Sequence, residues 1–109
     1  MLHKLKIMIL NLIETKEILD LEKEIGFELE ANERPVWSDK CKFYVSFKEG
    51  ESMEGGALIS YSGNGNTVDE ALRHYCEKIS CRRMAFNSYT PERKEIEMPK
   101  LIHTKLLGY

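Results

Sequence analysis

The stretch SGNGNTVDEAL, residues 62–72, limits what this chain can fold into more than any other. Thr67 and Glu70 stand at the spacing of a capping box, in which the hydroxyl accepts from the amide three residues on and the carboxylate reaches back to the Thr amide. A helix therefore begins at Val68. Ala71, Leu72, Tyr75, Cys76 and Ile79 form its apolar stripe, and Asp69, Glu70, Arg73, Glu77 and Lys78 cover much of the remainder. Gly63 and Gly65 read as a sharp turn between a preceding strand and this helix. They do not read as a phosphate cradle: a P-loop needs Lys-Ser/Thr after its last glycine, and a dinucleotide fingerprint needs a third glycine.

The rest of the chain supplies partners for that helix. From Asn11, which caps it with Glu14, a first helix carries Ile18, Leu21 and Ile25 on one face, and Gly26 ends it. Phe27, Leu29 and Ala31 then alternate with charged residues as a strand, and Pro35 breaks the chain before Trp37. CKFYVSFK, residues 41–48, alternates most cleanly. The polar run EGESMEGG reads as a loop, with ALISYS returning antiparallel to residues 41–48. Residues 83–88 and 94–98 predict a terminal hairpin across a Thr-Pro turn. The tail KLIHTKLLGY has leucines to dock but no clear period.

These elements predict one α+β domain over residues 1–109, an antiparallel sheet with two main helices and a C-terminal hairpin, with residues 1–10 as an N-terminal extension. At 109 residues and 42% hydrophobic content the chain can bury a core of its own. MLHKLKIMILNLI is interrupted by Lys4 and Lys6, so it reads as neither a signal peptide nor a membrane span, and Met8 is an alternative start. Three cysteines, an odd number, fit reduced thiols in a cytoplasm better than a disulfide framework.

Catalytic and metal chemistry find little footing. Cys76 and Cys81 are five apart with no Cys-x-x-Cys, and His74 and Cys76 point about 200° apart on a helix, so neither a metal site nor a Cys-His pair is expected. No cofactor is implied, and the chain reads as no enzyme. Binding is better supplied with residues. Trp37 either covers the core or anchors a protein interface. Lys78, Arg82 and Arg83 at the end of the second helix, with Arg93 and Lys94 in the hairpin turn, either cap the helix or form a polyanion-binding face with Lys40 and Lys42. The alternative is an acidic binding face, Glu49, Glu51 and Glu54 with Asp69 and Glu70, of the kind that can occupy a basic DNA channel. A net charge of −2 gives no global attraction for nucleic acid.

The order of helix, three strands, Gly-x-Gly-x-Thr and helix over residues 11–80 resembles the double-stranded RNA-binding domain, and implies its α-β-β-β-α fold. That family places lysines just after the junction on RNA phosphates. This chain has Val68, Asp69 and Glu70 there, which repel a phosphate. GNGNTVDEALRHYCEKIS is also similar to the strand-to-helix junction of HicB-type antitoxins. The stretch from Ile25 to Lys100, with IGFELE and FNSYTPERKEIEMPKL, looks like small uncharacterised proteins of bacteriophages and prophages. That resemblance implies a non-enzymatic accessory protein in the cytoplasm of a bacterial host. It would bind a host protein, for example to inhibit a nucleic-acid-targeting defence complex such as a CRISPR nuclease. The alternative is a module binding double-stranded RNA or DNA through a local basic face. A membrane partner is not expected.

Overall fold

The computed structural model describes residues 15–107. In chain order these form β1 (Thr15–Glu17), α1 (Ile18–Ile25), β2 (Leu29–Glu33), β3 (Phe43–Phe47), β4 (Gly50–Glu54), β5 (Ala57–Ile59), β6 (Gly63–Gly65), α2 (Val68–Ile79), β7 (Arg83–Phe86), β8 (Lys94–Glu97) and β9 (Lys100–Ile102). The class is α+β with mostly antiparallel pairing. One sheet runs β2-β3-β6, a second β5-β4-β7-β8, and β1 pairs in parallel with β9. Among the described residues no helix is long and apolar enough to cross a membrane.

The first helix starts later than its periodicity suggests. Thr15–Glu17 is a strand rather than a helical turn, because Lys100–Ile102 from the far end of the chain offers it a hydrogen-bonding edge. Asn11, Met8 and the expected N-terminal extension lie outside the described residues. Gly26 ends α1 as expected, with φ 76° and its amide donating to the Glu22 carbonyl at 3.1 Å.

Two further expectations are corrected. Residues 50–54 are not loop: Gly50–Glu54 is an inner strand, held by β7 with Gly50 opposite Phe86 and Ser52 opposite Met84. Its polar letters hide an alternation in which Gly50 and Ser52 are buried. The return through Ala57–Ile59 pairs with β4, not with residues 41–48, across Gly55 and Gly56, whose φ values of 54° and 85° suit a two-residue hairpin turn. Phe43–Phe47 lies instead between β2 and β6, with Phe43 opposite Gly65 and Val45 opposite Gly63. Along the chain the β2-β3-β6 meander is thus interrupted by the β4-β5 hairpin. Residues 83–86 and 94–97 do pair as the predicted C-terminal hairpin.

The Gly-Asn-Gly segment is therefore a strand, and its glycines serve contact rather than turning. A Cβ on Gly63 would overlap the Ala71 carbonyl oxygen and the Tyr75 amide nitrogen, and one on Gly65 would stand 2.5 Å from the Ala71 nitrogen. The backbone of α2 lies directly on that of β6. The apolar stripe of α2 then reaches the core as its spacing predicts: Ala71, Leu72, Tyr75, Cys76 and Ile79 are buried against Ile18, Val45, Phe47, Met84, Phe86 and Leu101. Tyr75 is fully enclosed, and its hydroxyl oxygen accepts from the Phe47 amide at 3.0 Å. Burial pushes its phenol up to about 12, against the opposing pull of that amide. Phe86 stacks on Phe27 at 4.2 Å and meets Phe47 edge-on at 5.5 Å, joining the two larger sheets.

Because backbone cannot move aside for a methyl group, Gly63→Ala is expected to cost about 3 kcal/mol in urea unfolding, at the upper end of overpacking penalties. Gly26→Ala, in open space but at positive φ, should cost only about 1 kcal/mol. Equal losses would contradict the close-contact account.

Candidate interaction surface

The connection between β2 and β3 presents two large apolar side chains to solvent. Val36 is 99% exposed and Trp37 83% exposed. They occupy the corners of a tight turn in which the Ser38 amide donates to the Pro35 carbonyl at 3.0 Å. The Arg34 amide donates to the Lys42 carbonyl at 2.7 Å, closing the base of the loop. Arg34 Nη1 donates to the Cys41 carbonyl at 2.7 Å, and Nη2 to Asn64 Oδ1 on β6 at 2.6 Å. The guanidinium also lies 4.6 Å from the Tyr44 ring centroid. Of the two readings of Trp37, core cover and surface anchor, the second is the one its exposure matches.

The basic residues predicted to form a face come together only in part. Arg83 stands opposite Glu97 and Lys94 opposite Phe86, at the two ends of the β7-β8 pair and so about 10 Å apart along the strands. Arg82 pairs with Glu54, Arg83 with Glu97 at 2.6 Å and Arg93 with Glu95 at 3.2 Å. Lys78 and Arg82 both approach the Tyr61 ring, at 5.4 and 5.6 Å. Each matched cation has less charge to offer a polyanion.

The acidic set is dispersed too. Glu51 and Glu54 are three apart on β4 and so project to opposite faces. Glu49 sits in the β3-β4 turn at φ 59°. Glu70 accepts from the Asn66 amide at 2.9 Å, one residue before the predicted Thr67 amide, while the Thr67 hydroxyl accepts from the Glu70 amide at 3.1 Å as predicted. Asp69 is not a surface residue at all.

Asp69 belongs to a buried ionic cluster that sequence reasoning missed. His103, directly after β9, places Nε2 2.7 Å from Asp69 Oδ1 and Nδ1 2.8 Å from Glu17 Oε1, with its side chain fully enclosed. Glu17 also accepts from the Thr104 amide and hydroxyl, at 2.7 and 2.9 Å, and Asp69 from the Leu107 amide at 3.1 Å. Both ring nitrogens can donate only when the imidazole carries two protons. Asp69 lies in the first turn of α2, where the helix dipole favours a negative charge. The cluster fastens β1, the C-terminal segment and α2 to one another. An isolated Glu and an isolated His, 86 residues apart, give no signal of this in the sequence.

No family model matches this chain, and no curated protein or solved structure does either. Function is therefore carried by the chain's own geometry. His74 accepts from the Asn64 amide on Nδ1 at 2.9 Å, which ties α2 to β6. Cys76 is buried, and burial, aided by the Glu17 carboxylate, pushes its thiol up to about 12, the reverse of what a nucleophile needs. Cys41 is partly buried and Cys81 exposed, and all three cysteines are free.

Burial pushes the Glu17 carboxyl up, but the Thr104 amide, His103 and the Thr104 hydroxyl together outweigh it and hold the group below its ordinary 4.5. A folded-state value below the unfolded one stabilises the fold above that pH, and the contribution is lost as pH falls through the folded value. Glu17→Gln should therefore be less stable than the parent at about pH 7 in urea unfolding, with the gap closing toward about pH 3. A gap independent of pH would contradict the role given to this carboxylate.

Proposed function

We propose that the chain is a non-enzymatic binding protein that docks a partner protein through the Val36–Trp37 turn. The observation that carries this reading is the exposure of an indole and a valine on a loop whose base and tip are closed by hydrogen bonds. Exposed aromatic anchors dominate protein interfaces, and a loop already fixed in its bound shape loses little entropy on binding. The setting follows the sequence resemblance: a phage-type accessory protein in the bacterial cytoplasm, with a host protein as partner and a nucleic-acid-targeting defence complex, such as a CRISPR nuclease, as one such target. Three free cysteines are compatible with a reducing compartment.

The succession α1, β2, β3, β6, α2 supports reading the central part as similar to the double-stranded RNA-binding domain with a hairpin inserted before its third strand. RNA contact at the junction is disfavoured by the residues there. Asp69 is committed to His103, and Glu70 to the Asn66 amide.

The immobilised chain should capture one saturable protein from a nuclease-treated bacterial lysate, and Trp37→Ala should weaken that capture at least about tenfold. The substitution should leave stability within about 0.5 kcal/mol, since the side chain touches little. Capture that is indifferent to Trp37 would refute the docking role. Saturable binding of duplex RNA or DNA that weakens steeply with salt would instead establish the nucleic-acid alternative.

A further inference from the structure

We propose that the cleft beside Trp37 receives an acidic segment of the partner, its carboxylates on Arg34, Lys40 and Lys42 and an adjacent apolar side chain against Val36. This inference rests on the Val36–Trp37 turn being the docking element and names the chemistry of what docks there.

The cleft has a volume of about 290 Å³. Three of its lining residues, Arg34, Lys40 and Lys42, are cations and none is a carboxylate, while Pro35 and Val36 give it an apolar wall. Elsewhere several cations are matched closely, as Arg83 is by Glu97 at 2.6 Å and Lys105 by Asp20 at 2.8 Å. In the cleft only Lys42 has a carboxylate, Glu33 at 3.4 Å, and both side chains are more than half exposed, so the pair is weak and readily exchanged. Lys40 makes no ion pair among the described residues. Arg34 is fixed on neutral acceptors, the Cys41 carbonyl and Asn64 Oδ1, and so keeps its full charge with N–H groups to spare. Across residues 33–42 three cations face Glu33 and Asp39, a positive balance on a chain of net charge −2.

That arrangement suits a carboxylate better than a nucleic-acid strand. A phosphate backbone needs a cationic track across several nucleotides, and its affinity rises with the number of phosphates met. Here the cations are confined to one cleft, and the most exposed neighbour is the aliphatic Val36. A carboxylate with an apolar side chain beside it uses both halves: charge-assisted hydrogen bonds on one side and apolar burial on the other.

Trp37 is the single tryptophan of the chain, so its emission reports occupancy of this place directly. A displayed library of random peptides would be panned on the immobilised full chain, with Trp37→Ala and the double variant Lys40→Glu/Lys42→Glu as counter-selections. Selected peptides would then be titrated against Trp37 fluorescence in the parent and the double variant. The expected result is enrichment of Asp or Glu beside apolar residues, a shift in Trp37 emission on binding, and at least tenfold weaker binding to the double variant. Peptides that require Trp37 but lack acidic enrichment, and bind the double variant equally, would overturn this inference and leave the docking turn standing. Absence of any Trp37-dependent peptide, or an oligothymidine strand that shifts the emission and displaces the peptides, would overturn both.

Discussion

The rest of the molecule depends on the contact of α2 with β6, in which a helix backbone rests on a strand with no Cβ between them. Gly63 and Gly65 make that approach available, and nothing else in the genetic repertoire does. With α2 seated so low, the Tyr75 hydroxyl reaches the Phe47 amide, and His74 reaches the Asn64 amide. The helix is thereby fixed to two strands of one sheet by side chains as well as by its apolar stripe. Its first turn is set in place too, and Asp69 is brought under the C-terminal segment.

The cluster around His103 follows from that placement. Two carboxylates and an imidazole enclosed together would be costly if any member lacked a partner. Here each ring nitrogen meets a carboxylate, and the carboxylates take further donors from Thr104 and Leu107. Such a cluster contributes modest net stability, but it is specific. It joins β1, the first turn of α2 and the segment after β9, which come from both ends and the middle of the described residues. Lys105 adds an exposed pair with Asp20 on α1, which holds the Asp20 carboxyl below its ordinary value. The two ends of the described residues are fastened by charge, whereas the centre is held by aromatic packing around Phe86.

Features that rest on local periodicity were legible in the sequence. The apolar stripe of α2, its Thr67 cap, the stop at Gly26 and the C-terminal hairpin each depend on residues a few positions apart. What could not be read depends on distant partners. Gly50–Glu54 looks like a loop until β7 supplies its neighbour, and Thr15–Glu17 looks helical until β9 does. Gly63 and Gly65 were legible as special, but whether a glycine is needed for φ or for closeness is decided by what lies above it. Of the residues proposed for binding, Trp37 was visible as a lone aromatic in a Pro-containing loop. The cations Lys78, Arg82, Arg83, Arg93 and Lys94 suggested one face only because their spacing in the chain says nothing of the carboxylates that fold beside them.

With the glycine junction given over to packing, and Asp69 and Glu70 to internal bonds, the loop from Arg34 to Lys42 is one surface, among the described residues, that leaves large apolar side chains exposed. The proposed docking role requires that this loop be held rather than mobile, since a fixed shape is what would let an exposed indole serve as an anchor. Amide hydrogen exchange of the full chain tests this most directly. Slowed exchange is expected at Arg34 and Ser38, the two amides that close the base and tip of the loop, alongside strong protection of β3 and α2. Exchange at Arg34 and Ser38 at the rate of an unstructured peptide, with the core still protected, would contradict it.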